Sequence, residues 1–175
     1  MRSILLAGAA ILGLAGAANA VPIPAGSILN IVGNANFSPT SITFTNPANL
    51  VAGTGAFTTL GTCTGCVVMV TPRVYSPTPI EGPAYTATNL GLSSSFTTTA
   101  LVSQSGNGVS TLGLQYSGTA TLSGFDTTPG TWVVTVNQLG GLIGSFSTST
   151  IATPTPEPMA LALLGTGLLG LAAVR

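Results

Sequence analysis

The sequence predicts an all-β fold: a single antiparallel sandwich or barrel-like domain, flanked by an N-terminal signal helix and a C-terminal transmembrane helix. Three observations predict it. The 175 residues include 27 Thr, 16 Ser, 23 Gly and 12 Pro, a mixture of strand formers and turn formers. Short runs of period-2 alternation recur roughly every 10 residues between turn signals. No stretch of the body carries a helical period of useful length. Antiparallel pairing is expected because no crossover helices are available to join parallel strands.

At the N-terminus, Met1-Arg2-Ser3 is followed by an uninterrupted apolar and small-residue run from Ile4 to Ala18. Ala18-Asn19-Ala20 then closes it in the small-x-small form that signal peptidase reads, which places the cut before Val21. The run is short for a membrane span. No Cys follows the cut and no Arg pair precedes the run, so neither lipid attachment nor twin-arginine export is expected. Residues 1–20 are therefore read as a signal peptide.

Residues 21–152 form the body, long enough for one hydrophobic core. Ile42 and Phe44 alternate with Ser41, Thr43 and Thr45. Leu112, Leu114 and Tyr116 alternate with Thr111, Gly113 and Gln115, and Trp132, Val134 and Val136 with Val133, Thr135 and Asn137. Leu142, Gly144, Phe146 and Thr148 continue the style. Ser105-Gly106-Asn107-Gly108 is a hairpin signal, since Asn-Gly suits the positive φ angles of a type I′ turn. Asp126-Thr127-Thr128-Pro129-Gly130 and Gln138-Leu139-Gly140-Gly141 read as further turns. Trp132, the lone tryptophan, reads as a core anchor in preference to a surface platform for sugars.

Only six residues are charged: Arg2, Arg73, Arg175, Glu81, Asp126 and Glu157; there is no His and no Lys. That removes the usual proton-transfer group and the base that a serine nucleophile needs. It also removes the cluster of cations that phosphate neutralisation needs, so no nucleic-acid partner is expected. Glu81 and Asp126 are the two acids of the body and read as solvated turn residues, not as a glycosidase pair. Arg73 reads simply as a partner for one of them, a pair worth little where it is exposed. With four ligands required and no His available, no metal and no cofactor are expected.

Cys63-Thr64-Gly65-Cys66 is the only cysteine pair. Beyond the cytoplasm such a pair oxidises, and a strand-like Val67-Val68-Met69-Val70 follows in place of the helix that a thioredoxin-type site uses. A structural disulfide pinning a turn at 62–67 is the favoured reading. Five Thr-x-Thr or Thr-Ser-Thr motifs, at Thr43, Thr86, Thr97, Thr119 and Thr148, show no constant period, so strand propensity explains them.

The C-terminus mirrors the N-terminus. Thr153-Pro154-Thr155-Pro156-Glu157-Pro158 is a stiff extended segment, because prolines on both sides of Glu157 fix φ and forbid helix. Met159 to Val174 is apolar or small except for Thr166, and Arg175 closes the chain. That run is marginal for a span, and a terminal Arg on the cytoplasmic side would leave the body outside. Gly165-Thr166-Gly167-Leu168-Leu169-Gly170 matches a dinucleotide fingerprint only by letters, since the chain ends five residues later; helix–helix packing is the better use of these glycines.

Residues 153–175 resemble a PEP-CTERM sorting signal: Pro156-Glu157-Pro158, a short apolar helix and a terminal basic residue, in that order. The family usually ends in a basic cluster, and this chain has Arg175 alone. The resemblance implies that Pro156, Glu157 and Pro158 are the recognition motif of a membrane-embedded exosortase, and that Arg175 is the stop-transfer charge. It implies a chain exported by Sec and signal peptidase and held transiently in the cytoplasmic membrane by 159–174. Cleavage then delivers it to the cell surface or an exopolysaccharide matrix. No enzymatic activity is expected; the body would associate with exopolysaccharide or with itself through a neutral, hydroxyl-rich β surface. The alternative is a specific ice- or glycan-binding module using Thr-rich strand faces.

Overall fold

A computed structural model describes residues 20–106, 110–138 and 144–153. Of the expected signal peptide (1–20) only Ala20 is described, and of the expected sorting signal (153–175) only Thr153; 1–19 and 154–175 lie outside the described residues. Among the described residues no helix is long and apolar enough to cross a membrane.

The described residues form twelve strands, four of which contain the alternating runs read in the sequence. They are β1 (Val21–Pro22), β2 (Ile28–Phe37), β3 (Ser41–Phe44), β4 (Ala48–Gly53), β5 (Cys63–Met69), β6 (Arg73–Val74), β7 (Gly82–Asn89), β8 (Leu92–Ser105), β9 (Thr111–Leu122), β10 (Phe125–Asp126), β11 (Thr128–Asn137) and β12 (Gly144–Ala152). A short 3-10 helix spans Gly55–Leu60. Eight strands run in the order β2-β4-β5-β7-β8-β9-β11-β12, each antiparallel to its neighbour. β12 then pairs back onto β2, from Gly144 opposite Ala35 to Ile151 opposite Ile28. The sheet therefore closes into an antiparallel barrel with no free edge among these eight strands.

Inward positions fill the lumen. Leu112, Leu114 and Tyr116 on β9 face Val136, Val134 and Trp132 on β11 in direct register, and all six are buried. Tyr85 reaches across from β7 to β12, where its hydroxyl hydrogen-bonds Thr150 Oγ1 at 2.7 Å. Phe96 needs room that two glycines provide: Gly118 and Gly130 lie opposite one another, and a Cβ on Gly130 would come within 3.3 Å of the Phe96 ring. An eight-stranded barrel is just wide enough for its interior to be filled by side chains, and all eight strands contribute buried apolar residues here.

The two rims are closed differently. At one, the 3-10 helix drops Phe57 and Leu60 into the core, and Ile23 does the same with its amide on Thr128 Oγ1 at 2.8 Å. Both ends of the described chain meet there. β1 pairs in parallel with β10, Gly26 N donates to Ala152 O at 3.1 Å, and Thr153 N donates to Pro129 O at 3.0 Å.

At the other rim, β3 continues β4, and β6 continues β5, as one bent hairpin arm. The bend is held by side chains. Asn46 donates to Met69 O at 2.8 Å and accepts from Met69 N at 2.7 Å; Thr71 Oγ1 accepts from Phe44 N at 3.0 Å. Three of the arm's buried side chains, Ile42, Phe44 and Tyr75, close the opening, and Phe44 meets Phe146 edge-on at 4.9 Å.

Some expectations change. Thr128, Pro129 and Gly130 begin β11 instead of forming a turn; the reversal falls at Ser123–Gly124, where Gly124 has φ 86°. Cys63 and Cys66 sit within β5, not in a turn. The Gln138–Gly141 turn fits the gap between β11 and β12, and the Ser105–Gly108 signal the gap between β8 and β9. Asn107, Gly108, Leu139, Gly140, Gly141 and Leu142 themselves lie outside the described residues.

Candidate functional site

The lumen holds a buried cation. Arg73 is 1 % exposed and enters the barrel from the arm. Its Nη1 donates to Pro83 O at 2.9 Å and its Nη2 to Thr98 Oγ1, which in turn donates to Gly82 O at 3.1 Å. The guanidinium lies over the Tyr116 and Trp132 rings, 4.9 and 5.6 Å from their centroids. Burial pushes its pKa down, and the neighbouring Tyr116 offsets this in part. Pairing with Glu81 or Asp126 is thus overturned: both carboxylates are exposed, Glu81 just before β7 at the arm rim and Asp126 on β10 at the opposite rim. The fold does not bring these two acids together. Trp132 is fully buried beside this cluster, the core anchor that its sequence context suggests.

Among the described residues no three of His, Cys, Asp and Glu converge. Cys63 and Cys66 are bonded to each other with Cα atoms 5.9 Å apart, as expected for a structural bridge. Ala20 and Val21, flanking the expected signal cut, are both exposed, Val21 at 64 %. Ala18, Pro156, Glu157, Pro158 and Arg175 lie outside the described residues.

What remains is the outer wall, which carries two distinct polar surfaces. The first spans β7, β8 and β9, where the fold gathers three of the five Thr motifs. Thr86, Ser95 and Thr121 share one cross-strand row, and Thr97 lies opposite Thr119 in the next. Here the side chains bond to one another: Ser93 to Ser123 at 3.2 Å, Ser95 to Thr121 at 2.7 Å, Thr99 to Ser117 at 3.4 Å and Ser103 to Gln115 at 3.4 Å. Sequence spacing hid this alignment because hairpins of unequal length separate the motifs.

The second surface spans β11, β12, β2 and the β3–β4 strand. Thr135, Ser147, Val32 and Asn49 form one row across it. Asn137, Ser145 and Asn34 form the next, and Thr45 N bonds Asn34 O at 2.8 Å beside them. Note that Gly144 pairs with Ala35 and Ser145 with Asn34, so this row is continuous through β12 and β2. The rows line a depression of about 490 Å³, with Pro47 at its edge and Phe146 beneath. Gly33 is required there: a Cβ would stand 2.7 Å from Phe146 Cε1. This surface could be found only once the barrel had closed, because its two halves lie about a hundred residues apart in sequence.

Comparison with known proteins finds no matching family model, no similar curated protein and no similar solved structure.

Proposed function

We propose that this chain is a secreted, non-catalytic component of the cell surface or an exopolysaccharide matrix, delivered by exosortase processing of its C-terminal signal. The observation that carries this reading is the tail itself. Pro156-Glu157-Pro158, the apolar run 159–174 and Arg175 follow in order, on a chain that also opens with a signal-peptide pattern. The barrel is consistent with it. Thr153 leaves from the rim where Val21 also lies, so a tail held in a membrane would leave the arm rim facing away. The outer wall is neutral and hydroxylated, suited to association through hydrogen bonds and not through charge.

Deleting the exosortase gene of the producing cell tests the reading, alongside Pro156→Ala/Pro158→Ala. Both are expected to trap the chain in the cytoplasmic membrane fraction while wild type reaches the surface. Unchanged fractionation in both would refute it.

A second reading, a binding module for ice or a glycan, draws support from the alignment of Thr motifs on β7–β9. Ice binding needs hydroxyls free to order water, and on β8 and β9 Ser95 already bonds Thr121 and Thr99 bonds Ser117, which breaks the array around Thr97 and Thr119. The glycan half of this reading fits the other wall better.

A further inference from the structure

We infer that the depression between β11, β12, β2 and the β3–β4 strand is a binding site for a neutral polysaccharide segment. The argument starts from satisfied and unsatisfied groups. A hydroxyl already paired with its neighbour offers a ligand little, since the new bond replaces an old one. On the β8–β9 wall four cross-strand side-chain pairs are made. In the depression, the exposed side chains of Asn34, Thr45, Thr135, Asn137, Ser145 and Ser147 make no hydrogen bond with any other described residue. Two amides and four hydroxyls therefore present both donors and acceptors over a concave surface.

The chemistry of the lining selects the ligand class. None of its residues is charged, so phosphorylated and carboxylated ligands find no counter-charge. A peptide cannot add as a strand, because β11, β12 and β2 are paired on both edges. Sugar hydroxyls each donate and accept, as these amides and hydroxyls do, and Pro47 offers an apolar edge for the C–H face of a ring. The volume of about 490 Å³ lies in the range of small-ligand sites, roughly 300–1,000 Å³. The site stands toward the arm rim, away from Thr153. That it faces outward on the cell rests on the sorting reading above; its binding chemistry does not.

Affinity chromatography of the full-length chain through columns carrying a β-1,4-glucan, a β-1,3-glucan or a galactan tests the inference, with alginate as the anionic counterpart. At least one neutral polymer should retard wild type and alginate should not. Asn34→Ala/Asn137→Ala should weaken retardation by about tenfold or more, and Ser147→Trp, which fills the depression, should abolish it. Ser95→Ala/Thr121→Ala on the other wall should leave it unchanged. No retardation by any neutral polymer, equal retardation by alginate, or retardation that survives both depression variants would each overturn the inference. A chain correctly sorted but never retarded defeats this site alone; a chain retarded but never sorted defeats the delivery reading alone.

Discussion

A guanidinium removed from water without a carboxylate to face costs several kcal/mol, even after its surroundings relax. Arg73 offsets that through two hydrogen bonds, from Nη1 to Pro83 O and from Nη2 to Thr98, and through the faces of Tyr116 and Trp132. Its buried Nε has no partner, so the offset is incomplete, and replacing the charge by packed carbon separates charge from volume. Arg73→Met keeps most of the stem and should change stability by about 1 kcal/mol or less, whereas Arg73→Ala empties the site and should cost about 3 kcal/mol. Urea midpoints decide; equal damage from both would show that the charge matters more than the packing. Tyr85 gives the pH dependence. Burial pushes its phenol from 10.0 up to about 12, so the folded barrel resists ionisation that the unfolded chain accepts. The resulting stability is fully present below pH 10 and is lost as pH rises toward 12, about 3 kcal/mol in all. Tyr75 and Tyr116 are also raised by burial and act in the same direction. Tyr85→Phe should lower stability at neutral pH by about 1–3 kcal/mol, because Thr150 loses its partner, and should flatten the alkaline decline. An unaltered decline would place its origin elsewhere.

Asn46 is the hinge pin of the arm. Its side chain replaces one rung of the ladder, bonding both N and O of Met69 where β3–β4 and β5–β6 bend. Asn46→Ala should cost about 2 kcal/mol and raise hydrogen exchange at Tyr75 N and Val70 N before it affects β9 or β11. Uniform loss of protection would show that arm and barrel open as one. The bridge in β5 contributes less than a long-range one would. It closes a loop with a sequence separation of 3, so Cys63→Ser/Cys66→Ser should cost at most about 2 kcal/mol in denaturant titration. At this scale the sequence was unevenly legible. β9 and β11 announced themselves because their inward positions are apolar throughout, from Leu112 to Tyr116 and from Trp132 to Val136. β8 did not, because it turns Ser94 and Thr98 inward on either side of Phe96, and that erases the hydrophobic period. β7 was hidden by a bulge that buries Ala84 and Tyr85 in succession. Gly130, read as a turn signal, is a strand residue making way for Phe96. Arg73 left only one clue, being the lone cation of residues 21–152.

The described residues form a closed barrel with Val21 and Thr153 at one rim and the open polar surface toward the other. Closure came from one non-local pairing, β12 onto β2, which local alternation could not specify; the sequence alone left sandwich and barrel equally open. The neutral wall and absent net charge also predict weak colloidal repulsion. The proposed delivery of this barrel to the surface rests on the sequence of its tail. Intact-mass measurement of the chain recovered from the surface or matrix of its producing cell tests that most directly. The account predicts a polypeptide that begins at Val21 and lacks Met159–Arg175. A recovered chain that still carries that apolar run through Arg175 would contradict it.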